Sequence, residues 1–159
     1  MKEYKEPQGL NDVSKFHKTF DLPVLSNPTI PEPERCELRI NLLQEELNEL
    51  KEAIADNDIV EVIDALCDIQ YVLSGAILEF GMGDVFEKCF NEVQRSNMSK
   101  TCKSKEEAEA TLSHYIDKHG TEGFIVERDG EYLVYRSSDK KVLKSVNYSP
   151  AELSKFLKI

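Results

Sequence analysis

LLQEELNELKEAIADNDIVEVIDALCDIQY, residues 42–71, reads as two helical segments joined by a short polar turn. At about 100° per residue, Leu43, Leu47, Leu50 and Ile54 form one apolar stripe on the first segment. Glu46 and Glu49 lie beside that stripe, with Leu42 and Ala53, while Glu45 and Glu52 point further round, toward water. On the second segment Glu61, Asp64 and Asp68 share a narrow strip with Tyr71 and Gly75. Nearly everything else from Ile59 to Phe80 is apolar. A helix apolar almost all round reads as a buried one, so its acids are expected to face the interior of a bundle.

Buried carboxylates without partners are costly; they take up protons, pair with cations or bind metal. No run of Lys or Arg suffices to neutralise them, although Arg39 sits on the Glu46 side of its helix. A hard divalent cation with oxygen ligands fits, and Mg²⁺ fits best where a phosphate substrate supplies further oxygens. Two solvated acidic helices are the plain alternative, but they leave the acids of the apolar helix unexplained. Glu46 and Glu49, at i and i+3, project side by side, and Glu61 and Asp64 do the same from the next helix. Antiparallel packing would converge the two pairs.

Glu45-Glu46-x-x-Glu49 followed by Glu61-x-x-Asp64 resembles the EExxE…ExxD signature of the all-α nucleoside triphosphate pyrophosphohydrolases. That superfamily includes MazG, dimeric dUTPases and phosphoribosyl-ATP pyrophosphohydrolase. Val62 to Val72, the following Gly75 and Arg95-Ser96-Asn97-Met98-Ser99-Lys100 resemble its MazG-like branch. EExxE alone is weak, because acid-rich helices are common; several motifs in order over some 90 residues are a specific signal. The resemblance implies hydrolysis between the α- and β-phosphates of a nucleoside triphosphate, releasing the monophosphate and pyrophosphate. It implies Glu46, Glu49, Glu61 and Asp64 as Mg²⁺ ligands, with Mn²⁺ as a possible substitute. Glu45 becomes the extra acid that orients a ligand or the attacking water, and with Glu46 forms the catalytic pair. Asp68 becomes a contact to the substrate sugar or an outer support of the metal. The relatives form dimers or tetramers, so a homo-oligomer is expected. Phosphoribosyl-ATP hydrolysis is the second enzymatic reading, disfavoured by the long C-terminal extension and the Ser96–Lys100 segment. A catalytically silent helical interaction module is the third, and the intact acid pairs speak against it.

The remaining chain sets the limits. Its 159 residues, 40% hydrophobic, suit one domain or one domain with an appendage. The expected architecture is mainly α: a four-helix-bundle core over 1–103 and a small α+β tail over 104–159. A formal charge of −10 argues against nucleic-acid or anionic-membrane partners. It accommodates a polyanionic substrate only if a cation inverts the local field. Cys36, Cys67, Cys89 and Cys102 form no CxxC or zinc spacing, so disulfides are not expected and a reducing cytoplasm is consistent. The opening MKEYKEPQGLND lacks the apolar run of a signal peptide, and no stretch is long and apolar enough to span a bilayer.

In chain order, Asn11 or Asp12 is expected to cap a first helix carrying Val13, Phe16, His17 and Phe20. The resemblance brings this piece near the nucleotide, making His17 or Phe16 a base contact. The residues alone favour His17 on the helix surface and Phe16 in the core. Four prolines make 23–33 an extended loop. Helices are expected at about 33–55, 59–80 and 84–94, the last opened by Asp84 and Glu87. The segment Arg95 to Thr101 is small, polar and basic. Taken alone it is equally a helix C-cap or a phosphate contact; the resemblance favours phosphate binding by Asn97 and Lys100, with Arg95 beside them. Ser104 and Glu107 open a fifth helix, expected on the surface because its apolar positions are sparse. Residues 123–136 read as a hairpin around Asp129-Gly130 with a type I′ turn. Val142 to Val146 is expected to add a third strand, and Ala151 to Leu157 a last helix.

Overall fold

Residues 2–157 are described by the structure, a computed structural model. The chain is mainly helical and divides into two compact units, at residues 86 and 87. The first holds helix α1 (Gly9–Thr19), α2 (Pro33–Ala55) and α3 (Ile59–Glu79). Pro33 stands in the first turn of α2, where its missing N–H costs nothing. Asn57, with φ of 55°, makes the left-handed residue of the α2–α3 turn. Asp58 Oδ1 then accepts from the N–H groups of Val60 and Glu61 at 2.9 and 3.2 Å, capping α3. The helix boundaries of α2 and α3 are those expected. Helix α1 begins earlier, at Gly9, with the Asp12 N–H bonded to Gln8 O at 2.9 Å. Asp12 thus lies inside the first turn, where its charge suits the dipole.

Helices α2 and α1 both pack on α3. Val13, Ala53, Ala65, Ile77 and Leu78 are buried. The loop after α1 closes over the end of α3, with Leu25 N–H on Leu78 O and Thr29 N–H on Phe80 O, each at 3.0 Å. Gly81 ends that helix with φ of +66°, and a Cβ there would stand 1.9 Å from Asn27 O. Two sequence readings need correction. Helix α3 is not buried on all sides: Ile59, Val60 and Ile63 are 76%, 66% and 57% exposed, because the packing of the first unit covers mainly the half from Ser74 to Glu79. On α1 the expected faces are exchanged. His17 is 2% exposed, while Phe16 is 39% exposed against Tyr71 and Phe20.

His17 is inside because it belongs to a polar network. Its Nδ1–H donates to Pro23 O at 2.8 Å and its Nε2 accepts from Arg39 Nη2 at 3.4 Å. Arg39 and Arg35 both bond the carboxylate of Glu79, which is 1% exposed. Gly75 makes room for this: a Cβ would stand 2.9 Å from Arg39 Nη1 and 3.0 Å from His17 Nε2.

The second unit contains α4 (Phe86–Met98) from Glu87 onward, α5 (Lys105–His119) and an antiparallel pair, β1 (Gly123–Arg128) and β2 (Glu131–Arg136). Asp129 and Gly130 both have positive φ, 53° and 79°, the requirement of the type I′ turn. Ser104 caps α5, accepting from Glu107 N–H at 3.2 Å, and Gly120 ends it in the left-handed region. Cys102, Ala108, Val134 and Leu143 form the core, with Leu112, Tyr115, Ile125 and Tyr132 around them. The surface placement expected for α5 is therefore corrected: Ala108 and Thr111 are fully buried.

The expected third strand is reduced to one bridge, Tyr135 to Val142. After Leu143 N–H bonds Val134 O, the next N–H groups go elsewhere: Lys144 to Tyr115 Oη, Ser145 to Lys100 O and Val146 to Thr111 Oγ1. In place of a last helix there is a single 3-10 turn, Leu153–Phe156; the Glu152 N–H before it donates to Glu92 Oε1 at 3.0 Å. Helix α4 runs on past Gln94 to Met98, so Arg95 and Asn97 occupy its final turn.

Candidate functional site

Capping by Asp58 fixes where α3 starts, and with it the positions of the acids that follow. Asp64 and Asp68 lie one turn apart on α3, and Glu45, Glu46 and Glu49 lie on α2. At the centre stands Glu46, half-buried, its Oε2 shielded from solvent and without a hydrogen-bond partner. Burial pushes its carboxyl above the usual carboxylate range, and the charges of Glu49, Asp68, Glu45 and Asp64 push it further. These five acids are brought together across two helices. Glu61 is exposed at the start of α3 and is not among the leading charges that raise Glu46. Glu45, Glu49, Asp64 and Asp68 are also exposed, and their side chains make no hydrogen bond or ion pair among the described residues.

Arg39, expected on the Glu46 side of α2, does not relieve the repulsion; its guanidinium is committed to Glu79 and His17. An orphaned carboxylate oxygen amid further free carboxylates suits a hard divalent cation. Among the described residues no three acids, histidines or cysteines stand close enough to hold a metal. The arrangement is thus a strongly negative field on rotatable side chains rather than a closed cage. It can hold a proton at Glu46, attract a cation, or take a proton from a nearby water.

The other site candidates lie in different surroundings. Both ring nitrogens of His17 are engaged inside the first unit. Arg95 bonds Glu92 through Nε and Nη2 at 2.9 Å each, Ser149 Oγ through Nη1 and Pro150 O through Nη2, both at 3.0 Å. Lys100 Nζ donates to Asn97 Oδ1 at 2.7 Å, on the exposed side of the α4 terminus. Sequence reasoning passed over Glu79 and Glu92. Glu79 continues the polar strip of α3 one turn beyond Gly75, a spacing visible in the sequence. Glu92 carries no such signal, because its partners, Arg95 apart, come some sixty residues later.

The family model described as phosphoribosyl-ATP pyrophosphohydrolase matches residues 13–97. An uncharacterized protein of Acanthamoeba polyphaga mimivirus is 23% identical, over 91% of this chain and 94% of that protein.

Proposed function

Because the chain belongs to the phosphoribosyl-ATP pyrophosphohydrolase family, within the all-α nucleoside triphosphate pyrophosphohydrolases, we propose that it hydrolyses a nucleoside triphosphate, a deoxynucleotide in the first instance, to the monophosphate and pyrophosphate. The observation that carries this reading is the shielded, unpartnered Oε2 of Glu46 amid four other acids. The functional unit is 1–103, and the role is housecleaning or control of the nucleotide pool. Glu46, Glu49, Glu61 and Asp64 are assigned to hold Mg²⁺, or Mn²⁺ in its place. The metal would neutralise charge on the phosphoryl oxygens when bound. Glu46 takes the proton from the water that adds to phosphorus as the bridging P–O bond breaks and pyrophosphate leaves, and Glu45 positions that water. Asp68 orients the sugar side of the substrate, and Asn97 and Lys100 offer an amide and a cation to phosphate. Arg95 and His17, both engaged within the protein, are positioning residues in this reading, acting through the elements that they fasten.

A second reading, phosphoribosyl-ATP as the substrate, is favoured by the description of the matching family model. Pyrophosphate release from a panel of ribo- and deoxynucleoside triphosphates and phosphoribosyl-ATP, with Mg²⁺ and with chelator, separates the two. Turnover of at least one nucleoside triphosphate above that of phosphoribosyl-ATP, lost on chelation, is expected. Release from none of them, across the panel, leaves only a silent helical module.

The four cysteines are free and no described helix is long and apolar enough to cross a membrane, in keeping with a cytoplasmic enzyme. The exposed Ile59, Val60 and Ile63 of α3, with Leu47 and Ile54 of α2, support a homodimer or homotetramer. Light scattering at micromolar concentration is expected to give at least twice the chain mass, and a monomer there would remove this part of the reading.

A further inference from the structure

The C-terminal extension has no motif of its own, and the family match ends at residue 97. Its hydrogen bonds nevertheless gather on one short stretch. Tyr148 Oη and Ser96 Oγ are 2.9 Å apart, with Ser96 buried. Ser149 N–H donates to Ser99 Oγ at 3.0 Å, and Ser145 N–H to Lys100 O at 3.3 Å. Arg95 reaches Ser149 Oγ and Pro150 O. From below, Glu92 fastens the same segment through Glu152 N–H and Lys155 Nζ, at 3.0 and 3.1 Å. Hydrogen bonds from Arg95 and from the Glu152 N–H outweigh burial and lower the Glu92 carboxyl to about 2. Ser145 is itself held to Glu107 on α5, and Val146 to Thr111.

We infer that residues 145–152 form a clamp that positions Asn97 and Lys100 for a phosphate group. The terminus of a helix frays when its last groups are unsupported. Here Arg95, Ser96, Ser99 and Lys100 all bond to the clamp, while the Asn97 amide and the Lys100 ammonium, joined to each other at 2.7 Å, are left on the exposed side. The extension therefore acts through these two side chains. Tyr148 and Ser149 are positioning residues; they leave the chemistry to the acids of α2 and α3. The inference rests on the phosphate-binding role proposed above for Asn97 and Lys100, but not on the hydrolytic step.

The test uses the full chain and the variant Tyr148→Phe, which keeps the ring and removes one hydrogen bond. Binding of inorganic pyrophosphate with Mg²⁺ is measured by calorimetry, beside KM and kcat for the best nucleotide. One hydrogen bond lost from a preorganised contact corresponds to about a three- to tenfold effect. Pyrophosphate affinity is expected to weaken by that factor and KM to rise with it, while kcat stays within about twofold. Ser149→Ala is expected to follow in the same direction. A purely structural role would lower thermal stability or the active fraction and leave affinity unchanged; that result overturns the clamp. Wild-type protein that binds no pyrophosphate also overturns it. Wild-type protein that binds pyrophosphate in a Tyr148-dependent way yet hydrolyses no nucleotide keeps the clamp and removes the proposed activity.

Discussion

Glu46→Gln is expected to reduce Mg²⁺-dependent pyrophosphate release at least about a hundredfold, the scale of losing a metal ligand or general base. The fold should survive, and at neutral pH the metal-free variant should be more stable than the wild type. Burial and then Glu49, Asp68, Glu45 and Asp64 raise the proton affinity of Glu46 above its ordinary value of 4.5. Ionised Glu46 therefore costs the folded state stability that protonated Glu46 does not. The cost is absent below pH 4.5 and grows as pH rises through the raised value. Glutamine mimics the protonated form, so the stability gap between variant and wild type should open with rising pH and close in acid. Mg²⁺ should stabilise the wild type at pH 7 and leave the variant nearly unmoved. Thermal melts over pH, with and without Mg²⁺, check both signs. Retained turnover in the purified variant, or a melt that Mg²⁺ shifts equally in both proteins, contradicts the role given to Glu46.

How much of this was visible beforehand depended on the range of the interactions. Local rules placed α2 and α3 to within a residue, with Pro33 at the start of one and a polar turn ending at Asp58 before the other. The Asp129-Gly130 turn and the Ser104 cap were equally local. The acids of α2 and α3 were legible because 3.6-residue periodicity puts them on facing strips. What failed was long-range. Apolar periodicity cannot say whether a stripe is covered within the chain or by another, so Ile59, Val60 and Ile63 fit a buried helix by pattern and stand exposed in the first unit. The exchange of Phe16 and His17 has a polar cause: a carbonyl at Pro23 and a guanidinium at Arg39 occupy the imidazole. Backbone donors at Lys144, Ser145 and Val146 found partners on α5 and at Lys100, which removed a strand that β propensity alone supported.

Glu79→Gln is expected to destabilise the first unit by about 3–5 kcal/mol, the usual cost of leaving a buried charge without its counter-charge. Arg39 is buried, and its guanidinium shares the Glu79 carboxylate with Arg35 while donating to His17 Nε2. Glutamine presents one carbonyl and one amide to two cations, so at least one guanidinium faces a donor. Burial alone would raise the Glu79 carboxyl; hydrogen bonds from Arg39 and Arg35 outweigh it and hold the group below 4.5. Its stabilising contribution is therefore complete above pH 4.5 and is lost as pH falls through the lowered value. Urea unfolding should show the full difference at pH 7 and a shrinking one in acid. Arg39→Met combined with Glu79→Leu should recover part of the loss, because the two most buried charges are removed together, while Arg35 and His17 Nε2 each still lose a partner. A cost under about 1 kcal/mol for Glu79→Gln at pH 7 would mean that the network is not a buried ion pair in solution.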